Sequence, residues 1–244
     1  MKIIPAIDLI DGQCVRLHQG DYGQKKIYAA DPLAMAKTFE QAGLRHLHVV
    51  DLDGAKAGHP VHTALLKQLV AHTSMQVDVG GGIRNMEHIR ELLEAGVHQV
   101  NLGSQALRQP EFMILALENF GAEKIILSAD VKGDFLAISG WQETLVMTWE
   151  TYLTNPDLSA LRHLCVTDIA LDGTLSGPAL GLYERITHRF PHLELIASGG
   201  VSSLEDLPAL AAIPCAGVII GKAIYEGRIS LAALATYQAK THVN

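Results

Sequence analysis

The chain has few of the features that mark secreted or membrane proteins. Its 244 residues include three cysteines, Cys14, Cys165 and Cys215, and no CxxC pair, which argues against a disulfide framework or a zinc knuckle. It has no stretch of 18 uncharged apolar residues, and the apolar run within residues 1–8 is too short for a signal peptide. We therefore expect a protein of the reducing cytoplasm with no membrane partner.

Charge is also scarce, and no long block of one sign occurs. Charged residues make up 18% of the chain and the net charge is −7, which argues against a nucleic-acid partner. Neither GxGxxG nor GxxxxGKS/T is present, so no dinucleotide site or P-loop is expected. An acidic protein can still bind anions through local backbone dipoles, so a phosphorylated small molecule remains a possible ligand.

What the chain does have is a regular alternation of apolar runs and helix-like segments. Strands are predicted at residues 3–8, 46–51, 75–79, 99–102, 124–130, 163–167, 193–198 and 217–220. Helices are predicted between them at residues 32–42, 61–72, 87–95, 110–120, 180–190 and 204–211. This alternation predicts parallel βαβ units, and eight of them fit a single (β/α)8 TIM barrel, one domain over residues 1–244. An open doubly wound sheet is the alternative.

Two glycine pairs punctuate this pattern. Gly81 and Gly82 follow one apolar run, and a second pair follows another apolar run 118 residues later. Backbone N–H groups at such strand-to-helix turns suit a phosphate, although a glycine pair is also common in a simple turn. The candidate phosphate-binding residues are Gly81, Gly82, Gly103, Ser104, Gly177, Gly199, Gly200 and Gly221. Lys222 either assists the second phosphate or faces solvent.

The glycines belong to a wider internal repeat. The segment 51–58 resembles the segment 168–177, and the glycines that end the following apolar runs, Gly103 and Gly221, are again 118 residues apart. The repeat predicts two half-barrels, about 1–121 and 122–244, related by a pseudo-two-fold axis. Two phosphate sites in such a molecule indicate a substrate with a phosphate at each end.

Two aspartates occupy matching strand ends in this repeat. Asp8 closes the first predicted strand and Asp130 closes the fifth, 122 residues later. Active sites of such barrels form at the carboxyl ends of the strands, and the first and fifth strands lie on opposite sides. The two carboxyls therefore suit general acid and general base work on one ligand. The alternative is that each aspartate caps the following turn.

A metal site is not predicted. His46 and His48 lie two residues apart on a predicted strand, and Asp51 and Asp53 follow it. Such side chains can ligate a divalent ion. A histidine pair of this kind is more often a stripe on the surface or the barrel wall, and the repeat counterparts of the aspartates lie beside glycines in a loop of the phosphate-binding type.

Taken together, these motifs resemble those of the ProFAR isomerase family of histidine biosynthesis, and the match runs nearly end to end. The matching segments are 5–12, 15–22, 50–56, 80–84, 139–143, 167–169, 172–175 and 198–201. The resemblance implies a (β/α)8 barrel with half-barrel symmetry and a substrate with two phosphates. It also implies an Amadori rearrangement of an aminoaldose to an aminoketose, without a cofactor. A monomer is expected.

The resemblance also implies roles for individual residues. By position, Asp8 matches the general base that takes the proton from C2 of the ribose. Asp130 matches the general acid that protonates the ring oxygen, and an acid that works near neutral pH needs a raised pKa, so we expect Asp130 to carry the higher pKa in the closed complex. The remaining positions implied to contact the substrate are Arg16, Arg84, Trp141, Thr167 and Asp172.

Three other interpretations remain open from the sequence. The cyclase subunit of imidazole glycerol phosphate synthase shares the opposed aspartates and the glycines. That family usually opens on a Cys-Leu-Asp-type strand with a lysine in the first loop, where this chain has Ala6-Ile7-Asp8 and Arg16. A dual-substrate isomerase that also converts phosphoribosylanthranilate is the second. A non-catalytic barrel that binds phosphorylated metabolites is the third.

Overall fold

The structure is a computed structural model that describes residues 1–18 and 21–241. Gln19 and Gly20, part of the 15–22 motif, lie outside the described residues, as do residues 242–244. Over the described ranges the strands are β1 (Lys2–Ile10), β2 (Gln13–His18), β3 (Asp21–Ala29), β4 (His46–Asp51), β5 (Gln76–Gly80), β6 (Gln99–Leu102), β7 (Ile125–Lys132), β8 (Phe135–Ile138), β9 (Glu143–Thr148), β10 (His163–Asp168), β11 (Glu194–Ser198) and β12 (Gly217–Ile220).

Helices separate the barrel strands along the chain. Their bounds are α1 (Pro32–Gln41), α2 (Leu52–Ala57), α3 (Thr63–His72), α4 (Met86–Glu94), α5 (Ser104–Arg108), α6 (Pro110–Phe120), α7 (Trp149–Leu153), α8 (Leu180–Arg189), α9 (Asp206–Ala212), α10 (Lys222–Tyr225) and α11 (Leu231–Thr241), with a 3₁₀ helix at Pro156–Leu158. None of the helices in the described ranges has the length and apolar character needed to cross a bilayer.

Eight of the strands form a closed parallel barrel. The order in the sheet runs β10, β11, β12, β1, β4, β5, β6, β7, and β7 also pairs in parallel with β10, so the sheet closes on itself. The predicted (β/α)8 barrel is therefore confirmed, and the open doubly wound sheet is wrong. In this ring β1 and β7 lie four strands apart, which places them on opposite sides of the barrel.

The strands are buried on both faces, as parallel strands between a core and a helical layer must be. On β1, Ile3 and Ile7 pack into the large cluster between the barrel and its helices. Ile4 and Ala6 alternate with them and point into the barrel. A small inner cluster fills the barrel there, made of Ile4, Ala6, Ile126, Cys165, Ile196 and Ile219.

Local sequence signals explain where several helices begin. The Asp31 carboxylate accepts hydrogen bonds from the amides of Leu33 and Ala34 at the start of α1, and Pro32 occupies the first turn. Asn85 caps α4 in the same way, accepting from the amide of His88. These caps satisfy backbone amides in the first turn of each helix and so fix where the helix begins.

Two antiparallel hairpins were not predicted. β2 pairs with β1 and β3, and β8 pairs with β7 and β9, so each hairpin follows one of the two opposed strands. β3 carries adjacent lysines, and the apolar runs of β8 and β9, residues 135–138 and 145–147, are short. Neither hairpin therefore fits the alternation of strand and helix by which the barrel strands were predicted. The hairpins matter because each brings a side chain onto an aspartate at the end of its parent strand.

Candidate active site

The carboxyl ends of the barrel strands surround a cavity of about 900 Å³. Asp8 and Asp130 enter it from the opposed strands β1 and β7. The predicted site residues that line it with them are Arg16, Arg84, Trp141, Thr167, Asp172, Gly81, Gly82, Gly103, Ser104, Gly199, Gly200 and Gly221. Gly177 does not line the cavity, but its amide donates to the carbonyl of Gly200, which does, at 2.9 Å. The structure thus brings together all but one of the residues singled out from the sequence.

Asp8 is paired with Arg16 from the first hairpin. Nη1 of Arg16 donates to both carboxylate oxygens of Asp8, at 3.0 and 2.9 Å, and Nη2 donates to the Ala6 carbonyl at 3.3 Å. The guanidinium also lies over the Tyr225 ring, 5.7 Å from its centroid. Burial lowers the pKa of the Arg16 guanidinium, but the charges of Asp8, Tyr225 and Asp172 and the hydrogen bond to Asp8 together outweigh burial, so the pKa is raised.

The same guanidinium lies against the glycine that begins α10. A Cβ added to Gly221 would come within 1.6 Å of Nη2 of Arg16. Glycine is therefore required here while Arg16 holds this position. In this structure the Arg16 guanidinium occupies the turn that is expected to bind the second phosphate.

Asp130 is contacted by the second hairpin through a neutral group. The indole Nε1 of Trp141 donates to Oδ2 of Asp130 at 2.7 Å, and Thr167 on the neighbouring strand β10 also hydrogen-bonds to this carboxyl. Burial raises the pKa of Asp130, against a smaller lowering effect of these two hydrogen bonds and of His48.

The turn that carries Trp141 has an uncommon backbone. Ser139, Gly140 and Trp141 all have positive φ, at 57°, 63° and 69°. Two bonds hold it: the Ser139 amide donates to Oγ of Ser104 at 3.0 Å, and Arg108 donates to Oγ of Ser139 at 2.8 Å. Left-handed backbone at non-glycine residues costs free energy, and here it directs the indole onto Asp130.

The two glycine pairs adopt matching conformations. Gly81 and Gly82 have φ of 111° and 74°, and Gly199 and Gly200 have φ of 87° and 79°. A Cβ on Gly81 would approach the Asp51 carbonyl to 2.1 Å. These glycines are thus needed for the close passage of the chain, whether or not they also bind a phosphate.

Repeat-related aspartates in the adjoining loops differ in their contacts. Asp51 is 1% exposed and accepts from three backbone amides, those of Gly54, Val61 and His62, at 2.7, 2.7 and 3.0 Å. The carboxylate of its counterpart Asp168 accepts from a single backbone amide, that of Ala170, at 3.0 Å. Asp51 is therefore a structural anchor of its loop rather than a free metal ligand.

The next pair diverges further. Asp53 accepts from the Asp11 amide at 2.7 Å and contacts Nε2 of His62 at 2.7 Å, which ties its loop to the turn after β1. Its counterpart Asp172 lines the cavity. Burial raises the pKa of Asp172 to about 6, with Arg16 opposing. Asp172 is thus a second carboxyl in the cavity that can hold a proton near neutral pH.

Lys222 and the histidines complete the description of the cavity. Nζ of Lys222 donates to the Gly173 carbonyl at 2.5 Å, so this lysine bridges two loops of the second half. His48 contacts Asp78 inside the barrel. Over the described residues, no group of three or more His, Cys, Asp or Glu is arranged to hold a metal ion.

The comparisons with known proteins place this site in a family. The model of the histidine biosynthesis protein family matches residues 2–230. The chain belongs to the histidine biosynthesis protein family. Curated members resembling it are named 1-(5-phosphoribosyl)-5-((5-phosphoribosylamino)methylideneamino)imidazole-4-carboxamide isomerase, so within the family the chain is an isomerase.

Three relatives show how complete the likeness is. The one from Parabacteroides distasonis is 46% identical over 95% of this chain and 97% of its own. That from Flavobacterium johnsoniae is 44% identical over 97% and 99%. That from Cytophaga hutchinsonii is 44% identical over 98% and 100%. The chain therefore corresponds to whole members of the histidine biosynthesis protein family.

Some cavity residues of this family member were not singled out from the sequence. Ser128 lines the cavity from β7, two residues before Asp130, and Ser198 lines it as the last residue of β11. Asn101 lines it from β6. The two-residue period of the strands could have pointed to Ser128 and Asn101, which precede Asp130 and Gly103 by two residues, and Ser198 directly precedes the second glycine pair.

Proposed function

We propose that the protein converts the aminoaldose ProFAR to the aminoketose PRFAR by an Amadori rearrangement in histidine biosynthesis. The observation that carries this proposal is the pair of carboxyls, Asp8 and Asp130, on opposed strands at the mouth of one cavity. The family membership and the isomerase names of the relatives support the choice of substrate.

Asp130 is the proposed general acid. Its carboxyl would give a proton to the ribose ring oxygen as the bond between that oxygen and C1 breaks, leaving an open-chain iminium. An acid must hold its proton near neutral pH, and burial raises the pKa of Asp130. Asp172, with a pKa of about 6, is the other carboxyl that could supply this proton.

Asp8 is the proposed general base. It would take the proton from C2 of the open-chain sugar, and the enol that results becomes the ketone when C1 is protonated and the C2 hydroxyl loses its proton. In this structure Arg16 is paired with both oxygens of this carboxylate. Arg16 must therefore shift on substrate binding, and a phosphate arriving near Gly221 supplies the anion to which it can move.

The two ends of the substrate would be held by the two halves of the barrel. Gly81, Gly82, Gly103 and Ser104 surround one side of the cavity. Gly199, Gly200 and Gly221 surround the other, supported from behind by Gly177. Arg84 and Trp141 would close over the substrate and exclude water, which strengthens each charge interaction inside. One domain, a monomeric state and a cytoplasmic location remain part of the proposal.

An absorbance assay with the bisphosphate substrate tests this function. The wild type should turn over ProFAR, and Asp8→Asn should bind it with little turnover. Phosphoribosylanthranilate in a parallel assay reports any second activity. Binding of ProFAR by the wild type without turnover would favour the non-catalytic barrel and overturn the proposal.

A further inference from the structure

One position in the internal repeat carries opposite charges in the two half-barrels. Arg108 is the last residue of α5, and Glu226 directly follows α10, 118 residues later. The same interval separates Gly103 and Gly221, the glycines that directly precede these two helices. Arg108 and Glu226 are therefore counterparts in the repeat, and each lies one helical turn after the first residue of its helix.

Both counterparts bind a hairpin rather than a barrel strand. Glu226 binds the first hairpin, where its carboxylate accepts hydrogen bonds from Nζ of Lys26 at 2.7 Å and from the Tyr28 hydroxyl, both on β3. Arg108 binds the second hairpin, across the turn that joins β8 and β9. Two unlike side chains thus make the same kind of connection, which indicates that the connection itself matters for the site.

Arg108 spans the turn that carries Trp141. Nη2 of Arg108 donates to Oγ of Ser139 at 2.8 Å and to Oε2 of Glu143 at 2.5 Å, and Nη1 donates to Oε1 of Glu143 at 3.4 Å. Ser139 directly follows β8 and Glu143 begins β9, so one guanidinium bonds to both ends of the turn. The planar fork of arginine suits such a contact, whereas a lysine supplies only a point charge.

The helix that carries Arg108 is itself fixed in the core. Ala106 of α5 is buried, and its carbonyl accepts a hydrogen bond from the Tyr152 hydroxyl at 2.8 Å. At the start of the helix, Oγ of Ser104 accepts from the Ser139 amide at 3.0 Å. The helix α5 therefore supports the turn at two points, which lie four residues apart.

The turn needs this support because its own backbone is unfavourable. Ser139 and Trp141 have positive φ, 57° and 69°, and such backbone at non-glycine residues persists only where surrounding contacts enforce it. If the turn relaxed, the Trp141 indole would leave Oδ2 of Asp130, to which it donates at 2.7 Å. The Arg108 and Glu143 side chains are 43% and 47% exposed, and an ion pair this exposed adds little to the stability of the whole fold. Its effect is therefore expected in the turn.

We propose that Arg108 is a positioning residue of the isomerisation, which fixes the turn at residues 139–141 and thereby keeps the Trp141 indole on the Asp130 carboxyl. The effect on catalysis rests on the proposed function, whereas the effect on the turn does not depend on it. Arg108 acts through Trp141 and does not contact the reacting atoms. Because α5 begins at Ser104, one helix links the proposed first phosphate site to the proposed acid.

Fluorine NMR of the protein labelled with 5-fluorotryptophan tests the effect on the turn without substrate. The chain has two tryptophans, Trp141 and Trp149, so the Trp149 signal is an internal reference, and Trp141→Phe assigns both signals. In Arg108→Leu the Trp141 signal should move towards its position in the denatured protein, while the Trp149 signal stays. Arg108→Lys should give an intermediate shift. Glu226→Leu, which releases the other hairpin, is the matched control and should leave the Trp141 signal in place.

A double-mutant cycle in the ProFAR assay tests the effect on catalysis. Arg108→Leu should lower kcat/KM about tenfold, and Arg108→Lys should recover part of that loss. In a Trp141→Phe background, Arg108→Leu should cause no further loss, because Arg108 acts through Trp141. Arg189→Leu removes a similarly exposed ion pair outside the cavity and should keep wild-type activity.

Three results would overturn the inference. The first is a Trp141 signal in Arg108→Leu that keeps its wild-type position. The second is a kcat/KM of Arg108→Leu within about twofold of wild type. The third is additive losses in the double variant with a raised KM, which would make Arg108 a direct contact of the substrate. Absence of turnover in the wild type would instead overturn the proposed function and the catalytic part of this inference, and the NMR comparison would still show whether Arg108 fixes the turn.

Discussion

The two half-barrels present the same carboxyl to the cavity but contact it with different partners. In the first half a cation, Arg16, pairs with Asp8. In the second half a neutral indole, Trp141, donates to Asp130, whose pKa is raised by burial. Each partner comes from the hairpin that follows the strand of its aspartate. One repeated scaffold therefore supplies two carboxyls with different chemistry, as a base and an acid require.

The difference extends below the mouth of the barrel. The interior of the first half is polar around Asp78, whereas that of the second half is apolar around Ile196. The loops differ too, since Asp53 binds the Asp11 amide while its counterpart Asp172 faces the cavity. Under the proposed function, the backbone symmetry matches the two phosphate ends of the substrate, and the different side chains match the different chemistry on the two sides of the ribose.

The largest expected effect is on turnover. Asp8→Asn and Asp130→Asn should each lower kcat by about a hundredfold to ten-thousandfold with little change in KM, because both carboxyls act mainly in the transition state. Steady-state absorbance assays measure this. Asp157→Asn, at an exposed position outside the cavity, is the matched control. Near wild-type kcat in either variant would remove that aspartate from its proposed role.

A second contrast concerns stability. Asp51→Ala should lower the free energy of unfolding by about 3 kcal/mol, because it leaves three backbone amides without their acceptor. Asp168→Ala should cost less than about 1 kcal/mol, since its carboxylate accepts from the single amide of Ala170. Urea unfolding of both variants measures the difference. Equal losses would show that the two loops are anchored alike.

A third contrast concerns the glycines that precede α5 and α10. Gly103→Asp should raise KM on the order of tenfold or more, because a carboxylate there opposes a phosphate. Gly103→Ala should be mild, since its Cβ would meet Ser128 at 3.8 Å, whereas Gly221→Ala should displace Arg16 and change both kcat and KM. Gly181→Asp adds the same charge in open space and is the control. An unchanged KM in Gly103→Asp would exclude that glycine from the phosphate site.

The smallest effect is a pH dependence of stability. The folded-state pKa of Asp172 is about 6 against an ordinary value of 3.8, so the folded state binds the extra proton between these values. Stability therefore falls as pH rises from about 4 to about 6. Asp172→Asn should be more stable than wild type by up to about 2 kcal/mol at pH 7.5 and indistinguishable near pH 3.5.

The counterpart of Asp172 offers the control for that measurement. Asp53 accepts from the Asp11 amide and contacts His62. Asp53→Asn should therefore lose stability at pH 7.5 rather than gain it. Thermal unfolding at the two pH values compares the variants, and a gain in both would mean that the two aspartates occupy similar surroundings.

The barrel, and most of the residues that line its cavity, could be predicted from the sequence. Apolar runs and glycine turns are local signals, so the strand that ends at Asp8 and the turn at Gly81 could be predicted. The hairpin that carries Trp141 could not, because its apolar runs, residues 135–138 and 145–147, are short and no helix-like segment separates them. The pairing of Arg16 with Asp8 and the raised pKa of Asp172 depend on contacts between distant segments, which no local pattern contains.

The position of Arg16 against Gly221 also has a consequence for the speed of binding. Under the proposed function, Arg16 must leave its position against Gly221 before a phosphate can bind there. Association then consists of an opening step followed by capture, and the observed rate constant levels off at high ligand concentration instead of rising without limit. Breaking the Asp8–Arg16 pair would then limit the rate of substrate binding, and the same step would free the Asp8 carboxylate to act as a base.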